Sequence, residues 1–156
     1  MRHFLVAVSG LYIFLSVCKE YPCNPATSNM AFVAFRSDET DSILVKKYSK
    51  ASNFTTLIDS FLLTPGNSSF EQRNDTLFVR NSFGTDNGFL SKYDYEITLP
   101  ETGRQFLITA ITEEYRSYKS GLSMDKRGCV NFISSYISNG QLISGQPNYY
   151  TFYFQK

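Results

Sequence analysis

The chain has 156 residues, of which 42% are hydrophobic, and its 15 basic and 14 acidic side chains leave a formal charge of +1. This length suits one domain with a substantial core, and the near-neutral charge argues against nucleic acid as an obligate partner. His3 is the only histidine, so histidine-dependent chemistry requires that the N-terminal residues stay in the mature protein.

The N-terminal residues are typical of a secretory signal peptide. A short positive stretch at 1–3 precedes an uncharged, mostly apolar run at 4–17. This run is shorter than the roughly 20 residues that a membrane-spanning helix needs, and small side chains stand before the expected cut at Cys18. We expect residues 1–18 to be removed and residues 19–156 to form a single secreted, extracellular domain without a membrane span. The alternative is a buried N-terminal strand or helix.

Removal of the signal peptide changes the cysteine and histidine counts. Cys23 and Cys129 remain, and an even pair in a secreted chain predicts one disulfide, the alternative being two free buried thiols. The disulfide would close a loop of roughly a hundred residues and stabilise the fold by about 4 kcal/mol in the chain-entropy model. No histidine remains, which excludes a Ser-His-Asp triad, a Cys-His pair and histidine-ligated zinc. We therefore predict no catalytic residue, no metal ligand and no cofactor.

The first half of the mature chain carries several strand signals. Strands are predicted at 30–36, 43–48 and 75–80, where apolar and β-branched residues are frequent. The apolar run 57–63 fits either a strand or a helix, and residues 43–49 also fit a helix. Helix and strand cannot be separated by periodicity in runs this short.

Three glycosylation sequons lie in the same part of the chain. The pattern Asn-x-Ser/Thr begins at Asn53, Asn67 and Asn74, and none of the three has proline in the middle position. In a secreted eukaryotic chain each predicts a glycan acceptor at the surface. We expect glycans to shield one side of the domain and to leave binding to another. The acidic cluster at 38–41 lacks the regular oxygen spacing of a calcium loop and predicts a solvated loop.

The second half contains the clearest strand signals. Apolar and polar residues alternate at 93–99, and a Pro-Glu-Thr-Gly turn joins them to the β-branched run 106–112 in a predicted hairpin. A strand at 130–137 precedes Asn139-Gly140, the dipeptide most typical of a two-residue hairpin turn. The last predicted strand, 149–154, is dense in aromatic residues. These rings either pack on both faces of the strand or form an exposed aromatic binding surface.

The predicted fold class is mainly β. The number of short strands and turns favours a single-domain antiparallel β-sandwich or barrel with one disulfide. The alternative is an α+β fold with one helix in the first third of the chain.

One motif near the start of the mature chain resembles a known family. Tyr21-Pro22-Cys23 is similar to the Tyr-x-Cys motif that opens the mature part of many small effector candidates secreted by powdery mildew and rust fungi. In the ribonuclease-like members this cysteine pairs with one near the C-terminus, and Cys129 would be the counterpart here. The resemblance implies a ribonuclease-like α+β fold without nuclease activity that binds a host target. More residues follow Cys129 in this chain than follow the corresponding cysteine in the compact members of the family.

Three functions are compatible with these observations. We expect a secreted, non-enzymatic interaction module that binds a protein or glycan partner, of which a host-directed effector is one case. The first alternative is a lipocalin-like carrier of a small apolar ligand, although the Gly-x-Trp signature of such barrels is missing. The second alternative is a hydrolase that uses carboxylates alone.

Overall fold

The computed structural model describes residues 29–80, 89–119, 127–145 and 151–156, with their side chains except at 115–132. These ranges hold ten strands and one turn of 3-10 helix, Ser37–Glu39. The strands are β1 (Asn29–Val33), β2 (Ile43–Ser49), β3 (Leu57–Leu63), β4 (Ser69–Arg73), β5 (Thr76–Arg80), β6 (Tyr93–Leu99), β7 (Arg104–Lys119), β8 (Arg127–Ser138), β9 (Gln141–Ser144) and β10 (Thr151–Gln155). Among the described residues, no helix is both long and apolar enough to cross a bilayer.

The strands form two sheets that pack together. One has four strands in the order β10-β1-β5-β4, and the other has six in the order β3-β2-β6-β7-β8-β9. Neighbouring strands are antiparallel except β1 and β10, which run parallel. The mainly β prediction is confirmed, and the two open sheets are those of a sandwich. The α+β alternative is not the observed class.

The predicted strands are found with shifted ends. Residues 57–63 and 43–49, which also fitted a helix, are the strands β3 and β2. β1 stops at Val33 because Ala34 adopts a left-handed backbone with φ of 64°. β4 was not predicted. It is an edge strand with polar residues on both faces, so its sequence lacks the apolar alternation that marks a half-buried strand.

Aromatic rings fill the space between the sheets. Phe32 of β1 stacks on Phe154 of β10 with ring centroids 4.8 Å apart, and Phe106 of β7 lies 4.8 Å from the same ring. Phe152, the other core residue of β10, contacts Tyr136 of β8 at 4.6 Å. Both phenylalanines of β10 are fully buried or nearly so. Each buried ring contributes about 1.5–3 kcal/mol by leaving water. The aromatic residues of this last strand are therefore largely core, while Tyr149 and Tyr150 lie outside the described residues.

The strand β7 changes partners half-way. Its first part pairs with β6 as far as Ile108, and beyond this point it pairs with β8 alone. The register shifts between Thr109 and Glu113, and Ala110 has a φ of 50°. This bulge bends the strand at the rim of the six-stranded sheet, as bulges generally do.

Candidate binding site

The three sequon asparagines lie where the prediction requires, at the surface. Asn53 is in the turn from β2 to β3, Asn67 in the loop from β3 to β4 and Asn74 in the turn from β4 to β5, and all three are exposed. Each of these turns adjoins β3 or β4. β3 forms one edge of the six-stranded sheet, and β4 forms one edge of the four-stranded sheet. Glycans at these positions would lie along one side of the sandwich.

Asn67 also closes the loop that carries it. Its Oδ1 accepts a hydrogen bond from the N–H of Thr64 at 2.7 Å, and its Nδ2 donates to the carbonyl of Leu62 at 2.9 Å. Nearby on β3, the N–H of Ser60 donates to Oδ1 of Asp59 at 2.8 Å. The side chains of Asn67 and Asp59 thus form hydrogen bonds with backbone groups at the edge of β3. Backbone groups at a strand edge that lack such bonds can pair with a strand of another chain.

The predicted disulfide partners are only partly within the described residues. The backbone of Cys129 belongs to β8, in register with Ser117 of β7. Its side chain and the whole of Cys23 lie outside the described residues, so the disulfide stays a prediction.

The acidic cluster at 38–41 is engaged with cations. The Glu39 carboxylate accepts hydrogen bonds from the N–H of Arg36 and from Nζ of Lys156. The Lys156 ammonium, together with the backbone of Arg36, lowers the pKa of Glu39 below its ordinary value. Asp38 forms an exposed ion pair with the Arg36 guanidinium at 3.2 Å. Among the described residues, no three His, Cys, Asp or Glu side chains are grouped as metal ligands would be.

A polar network lies at the centre of the six-stranded sheet, on the face turned away from the core. Glu96 of β6 accepts hydrogen bonds from Nζ of Lys46 at 2.7 Å and from the hydroxyl of Tyr48 at 3.0 Å, both on β2. The Glu96 side chain is only 9% exposed. Burial would raise the pKa of Glu96, but the hydrogen bonds from Lys46, Gln105 and Tyr48 outweigh burial and hold the pKa below its ordinary value. The group is therefore a carboxylate at neutral pH.

Exposed apolar side chains lie on the two edge strands of the same sheet. Leu57, Ile58 and Leu62 of β3 are 52%, 49% and 46% exposed, and Leu142 of β9 is 65% exposed. β3 and β9 are the two edges of the six-stranded sheet. Within the described ranges, all the strongly exposed large apolar side chains thus belong to this one sheet. We call the outward side chains of Lys46, Tyr48, Leu57, Leu62, Glu96 and Leu142 the open face.

A hollow of about 320 Å³ adjoins the open face near the β7 bulge. Phe54 and Asn53 of the β2–β3 turn line one side, and Thr109 and Ala110 line the other. The carboxylate of Asp94 fixes the turn, because it accepts a hydrogen bond from the N–H of Ala51 at 2.8 Å. Because Asn53 stands at the rim, a glycan on it would cover this hollow.

A second cleft, which we call the seam cleft, lies where the two sheets meet beside β9 and β10. Its volume is about 200 Å³. The lining residues are Val33, Tyr153 and Gln155 from the four-stranded sheet, and Phe106, Ser138, Asn139, Gln141 and Ile143 from the six-stranded sheet and its last turn. Residues from five different strands and one turn meet here, so no local sequence motif could have predicted the site.

The Tyr136 hydroxyl fixes the position of the seam cleft. It accepts a hydrogen bond from the N–H of Tyr153 at 2.7 Å and donates one to the carbonyl of the same residue at 3.2 Å. Burial raises the pKa of Tyr136 to about 12. One side chain of β8 thereby holds the free backbone edge of β10 across the boundary between the sheets.

Glu96 and Asp94 are neighbours on β6, but both carboxylates are occupied by hydrogen bonds to the protein. Neither family models nor curated proteins nor solved structures match this chain.

Proposed function

We propose that the chain is a secreted, non-enzymatic interaction module that binds a protein partner on the open face of its six-stranded sheet. The observation that carries the proposal is the group of three strongly exposed large apolar side chains along β3, those of Leu57, Ile58 and Leu62, at one edge of this sheet. Grouped apolar side chains at a surface are typical of interaction sites, whereas scattered ones are ordinary.

The open face has the composition of a contact surface. Leu57 and Leu62 flank one side, Leu142 lies at the other, and the Lys46–Glu96 ion pair stands between them. The ion pair is already formed and Tyr48 is already bound to it, so binding would order few side chains. A partner that presents apolar side chains to Leu57 and Leu62 and a hydrogen-bond acceptor to the partly exposed Lys46 ammonium would fit.

Contact through the face is favoured over addition of a strand to β3. Asp59 and Asn67 occupy backbone groups along this edge, and a glycan on Asn67 would add bulk beside them. Strand addition needs free backbone donors and acceptors at the edge. The side chains of the face remain available in either case.

The core packing favours this function over that of a carrier. A carrier of the lipocalin type needs an apolar cavity inside its barrel. In the described residues the space between the sheets is occupied by rings in mutual contact, with centroids 4.6 Å to 6.2 Å apart. A host-directed effector, as the Tyr21-Pro22-Cys23 motif suggests, is one form that the proposed module could take.

Site-specific photo-crosslinking tests the proposal. A photoreactive amino acid would replace Leu62 on the open face and, as the matched control, Arg80 on the four-stranded sheet, which is similarly exposed. We expect one protein from the extracellular fluid of the source tissue to be linked through position 62 and not through position 80. The variant Leu57→Ser/Leu62→Ser should then bind the identified protein about tenfold more weakly. Equal linkage through both positions, or unchanged affinity of the variant, would contradict the proposal.

A further inference from the structure

The seam cleft has a chemistry distinct from that of the open face. Among the described residues that line it, none carries a charge, and the ionisable group there, the phenol of Tyr153, has its pKa raised by burial and stays neutral. A charged ligand would leave water here without a counter-charge, at a large cost in free energy. The occupant that suits the cleft is therefore uncharged.

The same cleft offers polar groups that the fold leaves available. The side chains of Ser138, Gln141 and Gln155 line it and have no hydrogen-bond partner among the described residues. A glutamine amide both donates and accepts, and a serine hydroxyl does the same. Such groups pair with hydroxyls, which likewise donate and accept.

Apolar surface completes the lining. Phe106 and Ile143 come from the six-stranded sheet, and the Tyr153 ring from β10 is half-buried. The C–H face of a sugar ring packs against such surfaces while its hydroxyls bond to the amides. A volume of about 200 Å³ is below the roughly 300–1,000 Å³ of pockets for drug-sized ligands, which leaves room for one ring.

The walls of the cleft are held in place before any ligand arrives. Tyr136 fixes the backbone of Tyr153 through two hydrogen bonds. The Asn139 side chain accepts from the N–H of Leu107 at 2.8 Å and donates to the carbonyl of Gln105 at 3.3 Å, so the turn beside Gln141 is fixed as well. Preorganised walls lower the entropy lost on binding.

We propose that the seam cleft binds one uncharged sugar ring of a glycan, through the amides of Gln141 and Gln155 and the ring of Tyr153. This site is separate from the open face and does not depend on the function proposed for it. A single ring in a small cleft gives an affinity in the millimolar range, so useful binding would come from repeated sugar units.

Titration with methyl glycosides tests the inference. The probes are the methyl glycosides of mannose, glucose, galactose and N-acetylglucosamine, followed by NMR of the glycosidase-treated secreted protein, with methyl glucuronide as the anionic counterpart. We expect saturable millimolar binding of at least one neutral glycoside, shifts confined to residues of the seam cleft, and no dependence on salt. Gln141→Ala, an exposed change that spares the core, should weaken binding about fivefold, as should Tyr153→Ala.

Controls separate this site from the open face. Leu57→Ser/Leu62→Ser should bind the glycoside as the wild type does. A glycoprotein that carries the bound sugar, compared with the same glycoprotein after glycosidase treatment and with the free polysaccharide, distinguishes the two sources of the ligand. The inference is overturned if no neutral glycoside binds saturably, if methyl glucuronide binds as tightly, or if Gln141→Ala and Tyr153→Ala leave the affinity unchanged.

Discussion

At the scale of single residues, Glu96 shows how a buried carboxylate is kept charged on a sheet. Three neighbouring side chains, Lys46, Tyr48 and Thr98, donate to it and compensate for the water that it has lost. Such a group is costly to disturb, because removal of its charge leaves the Lys46 ammonium without its counter-charge and turns one of the two acceptor oxygens into a donor. Sequence alone gave no reason to select Glu96, since Lys46 and Tyr48, its two closest donors, are 50 and 48 residues away along the chain.

The change Glu96→Gln should therefore destabilise the protein by about 1.5–3 kcal/mol at neutral pH. The folded-state pKa of Glu96 lies below its unfolded value, so the stabilisation is fully present above the unfolded value of about 4.3 and is lost as the pH falls through the folded pKa. Urea unfolding of variant and wild type from pH 7 to pH 3 measures this difference. The exposed Glu71→Gln serves as control and should have a much smaller effect. A difference for Glu96→Gln that stays constant down to pH 3 would refute the assignment.

At the scale of elements, strands were predictable where one face is buried and less so at the edges. The alternation in β6 puts Tyr95, Ile97 and Leu99 in the core, and the sequence shows it plainly. The sequence of β3 fitted either a strand or a helix because its apolar residues do not alternate with polar ones. Most residues of β3 are exposed, and a bulge opposite Tyr48 shifts which residues share a face. β4 was missed for the same physical reason, since an edge strand buries little.

The turn between β8 and β9 is an element that local sequence does determine. Asn139 and Gly140 have φ of 48° and 83°, the left-handed values that a two-residue hairpin turn of type I′ requires. Gly140→Ala should cost about 1–2 kcal/mol, because a Cβ is strained at this φ. Gly66→Ala is the control: its backbone lacks the left-handed φ and its added Cβ would meet only the Thr64 hydroxyl at 3.7 Å. Thermal unfolding of both variants checks the difference, and equal losses would refute the account.

The link between β8 and β10 allows a prediction about an element boundary. Tyr136→Phe keeps the ring in the core but removes both hydrogen bonds to the backbone of Tyr153, which should cost about 1–2 kcal/mol. Hydrogen exchange of the Tyr153 amide should become faster, while that of Ala31, in the middle of the four-stranded sheet, should not change. If the Tyr153 amide stays equally protected in the variant, β10 is held by other contacts.

At the scale of the whole molecule, the fold class followed from the sequence and the binding surfaces did not. The open face and the seam cleft each combine strands that are distant along the chain, so neither leaves a local motif. The sequons are the reverse case: three residues define each, and the structure adds only that Asn53, Asn67 and Asn74 are exposed.

Cleavage of the signal peptide, glycosylation and formation of the disulfide are predictions that one measurement checks. Intact mass spectrometry of protein secreted from a eukaryotic host should give a chain that starts at Lys19, loses glycan mass with glycosidase and gains two hydrogen atoms on reduction. Replacement of Cys23 and Cys129 by serine should lower stability by about 4 kcal/mol in the chain-entropy model. An uncleaved N-terminus or two free thiols would remove the secretory premise and return His3 to consideration.

The parallel pairing of β1 with β10 has a consequence for biosynthesis. A chain is made from its N-terminus onwards, so β1 waits for its neighbour until all the residues between Val33 and Thr151 have been synthesised. Until then Phe32 lacks the ring of Phe154 against which it stacks, and the four-stranded sheet is one strand short. Pairings this distant close slowly and leave apolar surface open to aggregation meanwhile. A product truncated before β10 would therefore leave the edge of β1 unpaired and Phe32 without its stacked ring.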